Sequence, residues 1–183
     1  DNFPQVITSK YPIENVERIV GEEPDSVVTH GAGWARIVKN GRTVNIVTLH
    51  LWPQAYAYRA TDVAASRDAH EGDRYRRMEI EYICRHTIGT APRAAEELWV
   101  MLGDNNSWSR LDNWFYKCPE DDPRLLTQDY VLEHTPYVDV IARQHPGRFQ
   151  TTTHSEKRID FVYCTPALYD CVTRAEVVRD DYT

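Results

Sequence analysis

Residues 98–107 read Leu-Trp-Val-Met-Leu-Gly-Asp-Asn-Asn-Ser: an unbroken apolar run followed at once by a glycine, a carboxylate and two amides. A run this short does not build a helix; it predicts a strand buried on both faces and ended by Gly103. Side chains alternate on extended backbone, so Asp104 and Asn106 are expected on one side and Asn105 on the other. One anion and one neutral amide at the mouth of a sheet suit phosphate chemistry. A carboxylate can hold a water or a hard divalent cation, and an amide NH2 can donate to a phosphoryl oxygen without repelling it. Gly-Asp-Asn-Asn is equally the composition of a plain turn after a core strand, so the rest of the chain has to decide.

Upstream, residues 6–9 predict a short strand that Pro12 stops, with Tyr11 held extended. A polar loop over 21–25 carries Glu22 and Glu23. Strands over 34–38 and 43–51 are joined by Lys39-Asn40-Gly41-Arg42, whose Asn-Gly pair favours a tight hairpin turn. In the second of these, Val44, Ile46, Thr48 and His50 share one face, and Asn45, Val47, Leu49 and Leu51 the other. His50 thus falls at the strand end, beside Trp52-Pro53. A helix is expected over 73–88, with Ile80, Ile83, Cys84, Thr87 and Ile88 at helical spacing and Gly89 closing it. Strand, helix, strand in that order implies an α/β layered architecture.

Beyond Ser107, an aromatic and acidic connection over 108–123 contains Trp114-Phe115-Tyr116 and is expected to border a binding surface. A helix over 137–144 precedes Pro146-Gly147. Strands over 151–153 and 158–164 flank a Ser155-Glu156-Lys157 turn, with Arg158, Asp160 and Val162 facing one way.

Composition narrows the classes. A chain of 183 residues, 42% hydrophobic with 11 tyrosines and 5 tryptophans, is long enough for one folded domain with a substantial core. No internal repeat splits it, and no apolar run reaches membrane-spanning length. The net charge of −7 gives no bulk attraction to nucleic acid, so a polyanionic substrate needs a bound cation or a local basic patch. Cys84, Cys118, Cys164 and Cys171 include no Cys-x-x-Cys pair, which argues against a zinc knuckle or a redox motif and fixes no compartment. Asp1 is not an initiator methionine and no signal-peptide pattern precedes the first strand-like segment, so the chain is expected to be trimmed.

Three strand ends carry polar side chains that a core has no use for: His50, the Asp104/Asn106 pair, and Asp160. Their contexts, Thr48-Leu49-His50-Leu51, Gly103-Asp104-Asn105-Asn106 and Arg158-Ile159-Asp160-Phe161-Val162-Tyr163, resemble in order the motifs of the endonuclease/exonuclease/phosphatase superfamily. That superfamily includes pancreatic deoxyribonuclease, abasic-site endonucleases, sphingomyelinases, inositol-polyphosphate phosphatases and deadenylases. Ser9-Lys10-Tyr11-Pro12-Ile13 also looks like the family's Ser-Arg/Lys-Tyr-Pro-Ile strand end. The resemblance spans nearly the whole chain and implies a two-sheet α/β sandwich of the deoxyribonuclease type, with strand ends converging on Mg2+ or Mn2+.

The implied reaction is phosphoester hydrolysis by a metal-assisted water, in a phosphodiesterase or nuclease, on a nucleic acid, phospholipid head group or phosphosugar. Carried over, Asp104 orients or deprotonates the water and helps hold the metal, and Asn106 positions the scissile phosphate. His50 contacts phosphate or assists proton transfer, and Asp160 orients a second histidine. Imidazole titrates near neutrality, and a carboxylate fixes its tautomer and stabilises its cation.

The family's Asn and metal-binding Glu motifs fall before Ser9 and its Ser-Asp-His motif after the segment ending Asp180-Asp181-Tyr182-Thr183. The expectation is therefore a single domain over 1–183, incomplete at both ends, with an incomplete site for which Glu22 and Glu23 do not substitute. A non-catalytic binding or scaffold protein that keeps the fold is the alternative. Taken singly, His50 also fits a structural histidine, and Asp160 a carboxylate paired with Arg158. His30, His70, His86, His134, His145 and His154 are read as surface or packing residues. Asp112 and Asn113 are read as caps, the aromatics of 108–116 as local packing or a stacking surface, and Asp62, Asp68, Glu71 and Asp73 as a solvated face.

Overall fold

The computed structural model describes residues 5–21, 27–53 and 61–178; Glu22, Glu23 and the segment 180–183 lie outside them. β1 (Ile13–Ile19), β2 (Ala32–Lys39) and β3 (Arg42–His50) form an antiparallel meander. Asn40 and Gly41 both have positive φ, 51° and 74°, the backbone shape that matches the twist of a two-residue hairpin. From Lys39 against Arg42 the register runs without a slip to Ala32 against Leu49.

The strand expected over 6–9 is irregular chain, and β1 begins just past Pro12 instead. A bulge between Glu14 and Glu17, with Asn15 at φ 48°, breaks the two-residue period by which β1 would be recognised.

β4 (Leu98–Asp104) lies parallel to β3. β6 (Asp160–Cys164) is antiparallel to β4, and β5 (Val138–Asp139) is antiparallel to β6. The order is β1-β2-β3-β4-β6-β5. The α/β class is as expected; of the two-sheet sandwich that the resemblance implies, the described residues form one sheet. β4 passes through Gly103 rather than ending there. It is buried on the face of Trp99 and Met101 and half-buried on the face of Leu98, Val100 and Leu102, not buried on both.

A parallel pair needs a crossover, supplied by α1 (Val63–Asp68) and α2 (Glu71–His86). α2 lays Ile80, Ile83 and Cys84 on the sheet face of Val47, Leu49, Trp99 and Met101, with Ile88 beside them in the same core. It begins and ends two residues earlier than expected. Thr87 is its C-cap, and Gly89 falls inside a 3-10 turn over Ile88–Thr90 instead of closing the helix. α4 (Leu126–His134) packs against α2. Its buried face includes Thr127 and Gln128, which hides the apolar period in the sequence.

The helix expected over 137–144 splits into β5 and α5 (Val140–Gln144). α3 (Asn113–Tyr116) and α6 (Pro166–Tyr169) are single turns. Among the described residues no helix is long and apolar enough to cross a membrane. Cys84, Cys118, Cys164 and Cys171 are free thiols.

Several polar residues sit elsewhere than expected. Residues 151–153 form no strand: the Thr152 and Thr153 N–H groups both donate to the Lys157 carbonyl and close a turn. Arg158 does not share a face with Asp160. It is 1% exposed, with Nε 2.7 Å from Asp112 Oδ2 and Nη1 3.0 Å from Asp139 Oδ1. Asp112 is thus half of a buried ion pair rather than a cap, whereas Asn113 does cap, accepting the Cys118 N–H at 3.0 Å. Asp73 is not on a solvated face; it is buried and bonded to His70 and Arg76. Asp62 caps α1 and Glu71 accepts from Ser66.

Candidate active site

The register of three adjacent strands builds the site. His50 on β3 lies beside Asp104 on β4, and Asp104 lies beside Asp160 on β6. Register partners project to the same face, so one imidazole and two carboxylates share one end of one side of the sheet. His50 Nε2 is 3.8 Å from Asp104 Oδ2. Both side chains are partly exposed, and Asp160 is exposed.

Gly103 makes this alignment possible. Its φ is +145°, and a Cβ there would lie 1.9 Å from the Leu49 carbonyl oxygen. Only a residue without a side chain lets β4 approach β3 so closely. The ladder then continues one step further, the Leu51 N–H donating to the Asp104 carbonyl at 2.9 Å.

The expected alternation stops at Asn106, which adopts φ 49°, a left-handed conformation that asparagine tolerates. Asp104 Oδ1 accepts the Asn106 N–H at 2.8 Å, bending the chain into an Asx turn. Asn106 is 6% exposed, and its Nδ2 donates to the Leu51 carbonyl at 3.2 Å. Asn105 is buried, and its N–H donates to the Ile159 carbonyl at 2.8 Å. Asn106 therefore stands next to Asp104 through a turn, not through strand alternation. The aromatic connection after it packs partly on itself, Trp108 stacking on Tyr116, and partly on the later chain, Phe115 stacking on Phe149. Trp114 and Phe115 stay exposed.

His30, read from the sequence as a surface or packing residue, packs directly against the candidate site. Its ring lies 5.1 Å from that of His50 and 5.5 Å, edge-on, from Trp52, and it is buried. Counting outward from the Asn40-Gly41 turn finds it, since the hairpin register brings the chain just before Ala32 against His50, whose N–H donates to the Gly31 carbonyl at 3.0 Å. His30 also lines a cavity of about 470 Å3 with Thr48, Ala35, Ile7 and Ile13. Behind this wall, two of the buried charged residues of α2, Arg76 and Glu79, reach the Trp52 backbone. Arg76 Nη1 donates to the Trp52 carbonyl at 2.9 Å, and Glu79 accepts the Trp52 N–H at 2.7 Å.

The electrostatics follow from this crowding. Burial lifts the Asp104 carboxyl above the ordinary carboxylate range and the Asp160 charge pushes the same way, against the Asn106 N–H bond, His50 and Arg76. Burial, and next the neighbouring His50, hold the His30 imidazole below its usual value. Two carboxylates side by side, one of them resisting ionisation, form a donor pair that a hard divalent cation would relieve. Among the described residues, no group of three or more His, Cys, Asp or Glu is arranged to hold a metal.

No family model and no curated protein sequence matches the chain. Solved structures do. The human Nocturnin catalytic domain with bound sulfate anion superposes with TM-score 0.51 at 11% identity, over 85% of this chain and 48% of that one. An endonuclease/exonuclease/phosphatase from Beutenbergia cavernae DSM 12333 superposes with TM-score 0.50 at 17% identity, over 87% and 39%. The chain thus spans half or less of the length of these two structures. It has the endonuclease/exonuclease/phosphatase fold that its ordered motifs implied.

Proposed function

We propose that this chain carries the phosphoester-hydrolysing face of a metal-dependent phosphodiesterase or nuclease, with His50, Asp104, Asn106 and Asp160 as its working residues. The observation that supports this most is the register that sets His50, Asp104 and Asp160 side by side on three strands. One structure of the same fold binds sulfate, and another bears the name endonuclease/exonuclease/phosphatase.

In this reading Asp104, its carboxyl held above the ordinary carboxylate range by burial, orients the attacking water and draws off its proton. Asn106, tied by its backbone to Asp104 and by its side chain to Leu51, presents an amide donor to a non-bridging phosphoryl oxygen. His50 contacts the phosphate or passes a proton. Asp160, exposed at the same rim, is open to a histidine or a water. Mg2+ or Mn2+, held by Asp104 with Asp160 beside it, would neutralise phosphate charge and acidify a bound water. That cation also answers the net charge of −7, which otherwise repels a polyanion.

The two carboxylates are a small donor set, so turnover by this chain alone is expected to be slow. The same shortage favours a second reading, a phosphate-binding protein that keeps the fold without catalysis. The deciding experiment offers the chain nucleic acid, sphingomyelin and phosphosugars, with Mg2+ or with EDTA, and follows inorganic phosphate binding by NMR. Hydrolysis that EDTA and Asp104→Ala both abolish supports the enzyme. Phosphate shifts at His50 and Asn106 without hydrolysis support the binding protein. Hydrolysis or binding indifferent to Asp104→Ala overturns the site.

A further inference from the structure

Glu79 lies on the α2 face that packs on the sheet, next to Ile80 and Ile83, where an aliphatic side chain would fit the pattern, yet it is a carboxylate with 0% exposure. Burying that charge is costly, and burial does hold its carboxyl above the ordinary range, against its hydrogen bonds. It has three donors. Oε1 accepts the Thr29 N–H at 3.0 Å and the Thr29 hydroxyl at 2.8 Å; Oε2 accepts the Trp52 N–H at 2.7 Å.

Those donors belong to two separate stretches of chain. Thr29 precedes His30, and its hydroxyl is also 3.1 Å from His30 Nδ1. Trp52 follows His50 by two residues, and its carbonyl is held by Arg76. One carboxylate therefore spans the segments on which the two neighbouring, mutually tilted imidazoles hang, and Leu51, between His50 and Trp52, is tied to both Asp104 and Asn106.

We propose that Glu79 is the positioning residue of this site: by accepting from Thr29 and Trp52 at once, it sets the separation and tilt of the His30 and His50 rings, and so where His50 stands relative to Asp104. The proposal rests on the reading of His50 as a phosphate contact. An aliphatic residue at 79 would fill the same volume and take the shared acceptor away from the partly buried Thr29 and Trp52 N–H groups. Glutamine offers one acceptor oxygen, enough for one segment only.

The test uses the full chain labelled with 15N and compares the wild type with Glu79→Gln. Amide exchange at Thr29 or Trp52 is expected to quicken about tenfold, the change that losing one such bond brings. The His30 and His50 ring resonances shift and their mutual NOE weakens, while protection in β6 and α4 holds. Binding of inorganic phosphate with Mg2+ weakens in parallel. Thr29→Val displaces His30 in the same sense and Thr29→Ser restores it; this pair decides the matter if Glu79→Gln does not fold.

Faster amide exchange with unmoved rings makes Glu79 a mere partner for buried backbone and overturns the proposal. So does loss of protection spread evenly over the sheet. If the rings move in Glu79→Gln while the wild type binds no phosphate, positioning stands and the functional reading fails.

Discussion

His50 and Asp104 face each other across a parallel ladder, Nε2 to Oδ2 at 3.8 Å, and Asp160 stands in register on the far flank of Asp104. Burial and then Asp160 raise the Asp104 carboxyl, so the folded state binds that proton more tightly than the unfolded chain does. The stability it contributes is complete below the unfolded carboxylate value and is lost as pH rises through the raised one. Asp104→Asn keeps the oxygen that accepts the Asn106 N–H and removes the charge. It is expected to raise Tm by about 2–4 °C at neutral pH, as about 1 kcal/mol does in a chain of this size. At acid pH, where the carboxyl is already protonated, it changes little. Calorimetry at the two pH values checks both.

A divalent cation should relieve the same repulsion. Millimolar Mg2+ or Mn2+ is expected to raise the melting temperature of the wild type, with EDTA reversing the gain. Asp104→Asn and Asp160→Asn should each abolish most of it. An equal response in all three proteins would place the cation elsewhere.

Two glycines separate a clash from backbone strain. At Gly41 a Cβ would meet nothing within 4 Å, and the only obstacle is φ +74°. Gly41→Ala is expected to cost about 1 kcal/mol in urea denaturation. At Gly103 the Cβ would strike the Leu49 carbonyl at 1.9 Å. Gly103→Ala should cost more than about 3 kcal/mol or prevent folding.

Arg158 is locked between Asp112 and Asp139, bonded to both and 1% exposed. Arg158→Met leaves two buried carboxylates without a counter-charge and is expected to lose about 3–5 kcal/mol. Adding Asp112→Asn and Asp139→Asn should recover a large part of it, since asparagine can keep the cap that Asp139 makes with the Ala142 N–H. Urea denaturation of the single and triple variants measures the recovery.

What could be read in the sequence was set by short-range rules. The Asn40-Gly41 hairpin, the α2 core positions and the strand from Leu98 each follow from a local period or a turn preference, whereas the parallel register that sets His50 beside Asp104 is a long-range pairing. What stayed hidden depends on contacts distant in sequence. Arg158 pairs with Asp139 instead of facing the way of Asp160 because its partners come from other elements. Asn106 reaches its place through a left-handed turn that alternation does not anticipate. β1 is masked by its bulge, and α4 by buried polar residues. His30 and Glu79 were within reach: one by counting back along the hairpin, the other by noticing that 76, 79, 80 and 83 share a helix face.

The parallel pairing of β3 with β4 imposes an order of assembly in time. Closing a tight hairpin takes microseconds, so β2 and β3, with His50 at the end of β3, come together early. The carboxylate of Asp104 can join them only after the long crossover through α1 and α2 has wound over the sheet, a non-local event that loop-closure entropy slows. The spot is thus assembled in stages: the hairpin first brings the chain before Ala32 to His50, and both the Glu79 bridge and the carboxylate of Asp104 arrive only with the crossover and the strand that follows it.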